Sequence, residues 1–192
     1  MPPIVLASSS PYRRELLARL GLPFQCHSPD IDESPLAGEP ALALALRLAE
    51  AKARALVASY PHHLIIGSDQ VAVVGERILG KPGNHAAATE QLLACSGKPV
   101  RFLTGLALLD SRHGECQLDC VSFTVHLRML DAAAVERYLH AEQPYDCAGS
   151  FKAEGLGVSL FARTEGEDAT SLIGLPLIRL VDMLTHHGVQ VP

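Results

Sequence analysis

No apolar run in this chain approaches the roughly 20 residues that a membrane-spanning helix needs. The opening IVLA is also too short for the apolar core of a secretory signal. Positive charge is scarce: 16 Lys and Arg stand against 21 Asp and Glu, for a formal net charge of −5. Proteins that coat nucleic acid usually show a broad basic stripe, so that class is disfavoured and the cations that matter act locally. The five cysteines are odd in number and form no C-x-x-C pair. That argues against a disulfide framework and for reduced thiols in a cytoplasmic protein. The nine histidines show no metal-ligand spacing, since His62-His63 and His186-His187 are adjacent pairs whose side chains point apart. There is no G-x-x-x-x-G-K-[ST], which excludes a P-loop protein, and no G-x-S-x-G, which argues against an α/β-hydrolase. Repeats and low-complexity tracts are absent as well.

What remains is enough for a sizeable core. Hydrophobic residues make up 48% and charged residues 19% of 192, which fits one domain or one domain with two lobes. The opening IVLASSSPYRRELLARL reads as a buried strand, then a helix with Ser10 as N-cap and Pro11 at its first position, ending near Leu20 before Gly21. PFQCHS is a second short strand. ALALALRLAEAKARALVASY alternates with period two in its first half, yet its Ala, Leu, Arg, Glu and Lys are strong helix formers. A long helix is therefore expected, with Glu50 and Arg54 paired one turn apart. LII forms a buried strand that stops at Gly67, and Gln70–Val74 with Arg77–Leu79 forms a hairpin around Gly75-Glu76. HAAATEQLLACS is a helix closed by Gly97. VRFLTGLALLD is apolar on both faces, which predicts a central strand. CQLDCVSFTVHL alternates, with Val121, Phe123, Val125 and Leu127 on one face. DAAAVERYLHAE is a helix capped by Asp131, QPYDCAGSFKAEGLGVSLF is irregular, and LIGLPLIRLVDMLTHHG is one amphipathic helix stopped by Gly188. Strands and helices alternate with hairpins among them, which predicts a mixed-sheet α/β fold of two lobes with a cleft.

The opening segment carries the strongest chemical signal. Two arginines in the first turn of a helix sit at its positive pole, where each should cost about 0.3–1 kcal/mol unless an anion is present. Backbone N–H groups, the hydroxyls of Ser8, Ser9 and Ser10, and the forked donors of Arg13 and Arg14 would suit phosphate oxygens. The alternative is a plain Ser10 cap with solvated arginines. Asp69, just past the expected end of the LII strand, can hold a divalent cation or take a proton from water, or can be an ordinary turn aspartate. Asp32 and Glu33 form a paired-carboxylate candidate or a solvated acidic loop. Lys52 shares a helix face with Leu48 and Leu56, and on local grounds snorkelling is the favoured reading. Lys81 and Lys152 lie in glycine-flanked loops, with Glu154 two residues beyond the latter. Thr104 either meets a ligand or bonds to backbone.

Taken in order and spacing, LASSSPYRRELL, DES, LAEAKA, IIGSDQVAVV, LGKP, FLTGLAL and CAGSFKAEG resemble the Maf family of nucleotide pyrophosphatases over essentially the whole chain. The resemblance implies a mixed, twisted α/β sheet flanked by helices, related to the inosine-triphosphate pyrophosphatases. It implies a single Maf-like domain over residues 1–192, with two lobes and a deep cleft. It also implies hydrolysis of a nucleoside triphosphate to the monophosphate and pyrophosphate with a divalent cation, Mg²⁺ or Mn²⁺. The partner is then a nucleotide rather than nucleic acid or membrane, and a homodimer is compatible with the family. Carried over by position, Ser8, Ser10, Arg13, Arg14, Lys52, Lys81 and Lys152 bind substrate, Glu33 and Asp69 hold metal, and Asp69 is the general base. Tyr12, Gln70 and Glu154 are the specificity positions, and they are similar to the branch that acts on 7-methyl-GTP. A cationic methylated guanine stacks on an aromatic such as Tyr12, and an acceptor such as Glu154 meets its donor edge. Close relatives are expected to carry Trp at position 12. The rival reading is a nucleotide-sensing regulatory protein of cell division without turnover.

Overall fold

The computed structural model describes residues 2–191. Its elements are β1 (Ile4–Ala7), α1 (Pro11–Ala18), β2 (Phe24–His27), α2 (Ala41–Ala55), β3 (Leu64–Val74), β4 (Arg77–Leu79), α3 (His85–Cys95), β5 (Pro99–Asp110), β6 (Glu115–Leu127), α4 (Ala132–Glu142), β7 (Phe161–Glu165), α5 (Ala169–Ile173) and α6 (Leu177–His186). The seven strands form one mixed sheet in the order β2-β1-β3-β5-β6-β7, with β4 paired to β3. β1 runs parallel to both β2 and β3, whereas β4 is antiparallel to β3 and β7 antiparallel to β6. The mixed α/β fold expected from the sequence is therefore present. No helix among the described residues is long and apolar enough to cross a membrane, and all five cysteines are free.

The chain divides into two compact units. The first comprises residues up to Gln70, Thr104–Val121 and the chain from Asp168 onward; the second comprises Val71–Leu103 and Ser122–Glu167. In the first unit the sheet is buried on both faces, as parallel strands require. Ile4 and Leu6 of β1, with Leu64 and Ile66 of β3, pack against Leu16 and Leu17 of α1 and Leu180 and Leu184 of α6. Their neighbours Val5, Ala7 and Ile65 point the other way, onto Ala49 and Ala53 of α2. This is the period-two alternation of a strand, with each face apolar because each is covered.

The period-two run in α2 proves to be helical. Leu44, Ala45, Leu48, Ala49, Lys52, Ala53 and Leu56 are the buried positions, a stripe that repeats every fourth residue. Small residues on that stripe let α2 lie directly on the sheet. A Cβ added at Gly67 would stand 2.1 Å from the Ala49 carbonyl oxygen, and one at Gly105 would stand 2.2 Å from that of Ala45. The glycine that was expected to end the strand therefore does something else. β3 continues unbroken from Leu64 to Val74, and Gly67 marks a close helix–sheet approach. Asp69 consequently lies in mid-strand, not beyond a strand end.

In the second unit, β3 and β4 make the expected hairpin, with Val74 opposite Arg77. α3 and α4 are capped by Asn84 and Asp131, whose side chains accept from Ala87 N and Ala134 N. Phe102, Phe151 and Phe161 meet edge to face, with successive ring centroids 5.4 and 5.1 Å apart. β7 begins at Phe161, where the segment expected to be irregular ends, and its later residues are exposed and show no burial pattern to mark a strand. One correction falls in the C-terminal third. The single C-terminal helix is two helices, since Gly174 (φ 125°) and Pro176 interrupt it.

Candidate active site

The centre of the first unit is a buried ammonium group. Lys52 Nζ lies 2.7 Å from Asp69 Oδ1 and 3.0 Å from Glu33 Oε1. The lysine side chain is 7% exposed and that of Asp69 11%, while Glu33 reaches in from an exposed loop at 57%. Three different elements supply the trio: α2, β3 and the loop before α2. The Gly67 contact explains how they meet. By lowering α2 onto β3, it brings the lysine three residues beyond Ala49 level with the aspartate two residues beyond Gly67. Lys52 therefore does not snorkel to solvent; it ends in the core on a carboxylate.

Arg13 stands near the same charges. The Asp69 and Glu33 carboxylates favour its charged form, but burial outweighs them and lowers its pKa. Its Nε donates to the Gly174 carbonyl at 2.8 Å. Ser68 Oγ lies 3.0 Å from that same carbonyl and 2.9 Å from the Gly105 carbonyl. The residue beside Asp69 and the first arginine of α1 are thus tied to one backbone atom, the end of α5.

The turn before α1 is held by its own serines. Ser10 N donates to Ser8 Oγ at 3.1 Å, and Ser10 Oγ caps the helix by accepting from Arg13 N at 3.4 Å. No acidic side chain occupies the first turn of α1. An open groove of about 1070 Å³ runs beside it, lined by Ser8, Ser9, Ser10, Pro11 and Arg14 and, across from them, by Phe24, Gln25, Cys26 and Ser28. Glu15 also lines the groove, so it is the serine hydroxyls, Arg14 and the acid-free first turn of α1 that suit an anion there.

Gln70 faces the scaffold. Its Nε2 lies 3.1 Å from Thr104 Oγ1, 2.8 Å from the Ser171 carbonyl and 3.1 Å from the Leu172 carbonyl. Thr104 also donates to the Ser171 carbonyl at 2.9 Å, the backbone-bonded alternative for that threonine. Lys81, Lys152 and Glu154 belong to the second unit. Lys152 Nζ is 3.7 Å from Glu142 Oε1, and its backbone N donates to the Tyr138 hydroxyl. The Glu154 carboxyl has its pKa raised, first by loss of solvent and further by Glu142 and Asp146.

A sequence profile described as Maf-like protein matches residues 3–187. The chain is 72% identical over its whole length to the 7-methyl-GTP pyrophosphatase of Pseudomonas fluorescens strain Pf0-1, and each chain is fully covered. It is 65% identical, again over the whole of both chains, to the protein of that name from Pseudomonas aeruginosa. A Nitrosococcus oceani protein of that name is 53% identical over 99% of this chain and 96% of its own.

The chain belongs to the Maf family.

Several residues of this family member escaped the sequence reading. Gly67, Gly105 and Gly174 position Lys52, Ser68 and Arg13, and the signal available for the first two was the every-fourth alanine stripe of α2 facing isolated glycines. The histidines conceal a long-range group: among the described residues, His85, Glu136 and His140 place one donor atom each within 4.8 Å of one another. The i, i+4 spacing of Glu136 and His140 was legible, but His85 lies 51 residues away from Glu136 and only the fold brings it in.

Proposed function

We propose that this chain hydrolyses 7-methyl-GTP to 7-methyl-GMP and pyrophosphate. It is a nucleoside triphosphate pyrophosphatase; the finer substrate choice rests on the printed activity of relatives 65–72% identical over their entire length. The observation that carries the chemistry is the Lys52 ammonium enclosed by Asp69 and Glu33.

In this reading the serine turn, the N-terminus of α1 and the two arginines hold the triphosphate. Water attacks the α-phosphorus, the bond from that phosphorus to the bridging oxygen breaks, and pyrophosphate leaves. Asp69 takes the water's proton. Its Oδ1 carries the Lys52 bond, so Oδ2 is the oxygen assigned to the water. Removing a positioned base of this kind costs typically 10²–10⁴-fold in rate. Glu33 and Asp69 suit a hard divalent cation, because two carboxylates already converge on one positive atom. When bound, such an ion, Mg²⁺ or Mn²⁺, neutralises charge on the phosphates. Lys52, which joins those two carboxylates, would add its ammonium to the groups that bind the phosphates. Lys81, Lys152 and Glu154 carry their roles through the family alone, and single alanine variants that raise KM would assign them.

The test is pyrophosphate release from 7-methyl-GTP, GTP, dTTP and UTP with Mg²⁺ or Mn²⁺. We expect 7-methyl-GTP to be the best substrate and Asp69→Asn to lower kcat by 10²–10⁴-fold. Binding without turnover of any nucleotide would return the sensing reading. The stacking role of Tyr12 predicts that Tyr12→Ala loses roughly 2- to 30-fold more on 7-methyl-GTP than on GTP, the range of a cation–π contact of about 0.5–2 kcal/mol. Equal losses on both nucleotides would remove that role.

A further inference from the structure

In the second unit, α3 and α4 hold three side chains that this reaction does not use. His85 is the first residue of α3, and Glu136 and His140 stand one turn apart on α4. His85 Nε2 lies 3.0 and 2.9 Å from the two Glu136 oxygens. His140 Nε2 approaches the same carboxylate from the next turn, 3.4 Å from Oε2. The two imidazole rings are tilted by 39° to each other, with centroids 5.2 Å apart. The i,i+4 contact of His140 and the reach of His85 from α3 bring two imidazoles onto one carboxylate from two different helices.

The spacing matches a coordination shell. Zinc binds imidazole nitrogen and carboxylate oxygen at about 2.0–2.2 Å, so neighbouring donors of a tetrahedral site lie roughly 3.3–3.5 Å apart. The separations of 2.9 and 3.4 Å to Glu136 need little adjustment to reach that, and all three donor atoms lie within 4.8 Å of one another. Imidazole ligands usually engage their second nitrogen in a hydrogen bond that fixes the ring. His85 Nδ1 is 3.0 Å from the Tyr145 hydroxyl, and Tyr145 is itself anchored because its carbonyl accepts from Gly83 N at 2.9 Å. Thr89 Oγ1 donates to Glu136 Oε1 at 3.3 Å and steadies the carboxylate. Two nitrogens and one carboxylate suit Zn²⁺ and its late first-row neighbours rather than Mg²⁺, which prefers oxygen alone.

We propose that His85, Glu136 and His140 form a site for a late first-row divalent cation, with Zn²⁺ as the reference ion and water in the fourth position. The ion ties α3 to α4. The site is independent of the nucleotide reading and of the Asp69–Glu33 carboxylates.

The experiment uses the full chain stripped with EDTA, titrated with Zn²⁺ by calorimetry and followed by thermal melting and by the visible spectrum of the Co²⁺ form. One equivalent should bind at this site, counted in the Glu33→Gln variant, where the proposed catalytic carboxylate pair is broken. At free metal a hundredfold above Kd, the melting temperature should rise by roughly 5–10 °C. His140 is three-quarters exposed, so His140→Ala leaves the fold intact; it should weaken binding at least tenfold, as should His85→Gln. Tyr145→Phe should weaken it about tenfold through ring orientation. Glu33→Gln should retain the full thermal shift, which separates this site from the one proposed for the reaction. Unchanged affinity in His140→Ala and His85→Gln, absence of a thermal shift, or a thiolate charge-transfer band showing that cysteine holds the Co²⁺ would each overturn the proposal.

Discussion

Lys52 in the first unit is a cation between two carboxylates; Glu136 in the second is a carboxylate between two imidazoles. The two clusters share a three-membered plan and differ in what holds them. Lys52 lies within an apolar helix stripe, is 7% exposed at the side chain, and is placed by the close approach of α2 to Gly67. Glu136 is 44% exposed, and its partners stand at 36% and 75%. Burial makes the first trio costly to disturb, because Lys52 and Asp69, parted from each other, are charges with little solvent. Exposure leaves the second free to exchange protons and ions at little cost to the fold. The first arrangement suits the proposed nucleotide site, which needs fixed geometry, and the second suits the proposed ion site, which must exchange with solution.

The largest effect that would break this contrast is on stability. Lys52→Met leaves the Asp69 carboxylate facing that of Glu33 with no cation between them, and should cost about 3 kcal/mol. Glu136→Gln, with solvent available to every partner, should cost less than about 1 kcal/mol. Urea unfolding of both variants measures the difference, and equal costs would abolish the distinction between the clusters. The double variant Lys52→Met, Asp69→Asn should recover part of the loss, since it removes the buried charge as well.

A somewhat smaller effect sharpens the account of placement. An alanine at Gly67 puts a methyl group 2.1 Å from the Ala49 carbonyl oxygen. α2 must lift away, at a cost of about 2–3 kcal/mol for overpacking, and Lys52 lifts with it. Gly67→Ala should therefore lose activity as well as stability. Gly80, in the second unit, has nothing within 4 Å of an added Cβ, and Gly80→Ala should stay within about 0.5 kcal/mol of the parent. Chemical denaturation and initial rates on the two variants decide whether the close approach sets the site.

Much of this architecture was legible in the sequence, for local reasons. Ser10-Pro11 and Asp131 mark helix starts through side-chain bonds to nearby backbone, which short-range sequence encodes. The Gly75-Glu76 hairpin and the central position of β5 follow from turn chemistry and from apolar character on both faces. The period-two start of α2 was resolved by helix propensity, and the structure agrees. What escaped depends on partners far along the chain. Gly67 reads equally well as a strand end or as a contact with α2, and only the alanines of the packed helix distinguish them. Lys52 looks like a snorkelling lysine until Asp69 is placed beneath it. β7 is held by its register with β6, Thr164 opposite Val125, and shows no alternation of its own. The turn before α1 stood out as a candidate anion site because serine, arginine and helix N-terminus lie within seven residues. The cluster of His85, Glu136 and His140 was not, because its first and second members are separated by 51 residues.

The smallest effect concerns acid. Two carboxylates are held down to about 2, and both belong to the first unit. The Arg112 side chain forks onto Asp110, with Nε at 3.0 Å from Oδ1 and Nη2 at 2.7 Å from Oδ2, and Arg112 N adds a third bond at 2.9 Å. Arg47 does the same for Glu39 at 2.6 and 2.7 Å, helped by Leu36 N at 3.0 Å. A folded-state pKa below the ordinary 3.8 or 4.5 means that the unfolded chain takes up protons first as pH falls. The stabilisation is then present in full above about pH 5 and is lost progressively toward pH 2. Thermal melts from pH 7 to pH 2 should show this decline. Asp110→Asn should lower stability at pH 7 by about 1–2 kcal/mol, the scale of a hydrogen bond to a charged group, and its curve should converge on the parent's near pH 2. Glu136 is also held low by His85, but it is far more exposed, so Glu136→Gln should run closer to the parent at every pH. A larger acid response from Glu136→Gln than from Asp110→Asn would mean that the second unit, despite its exposure, holds its carboxylate more firmly than the first.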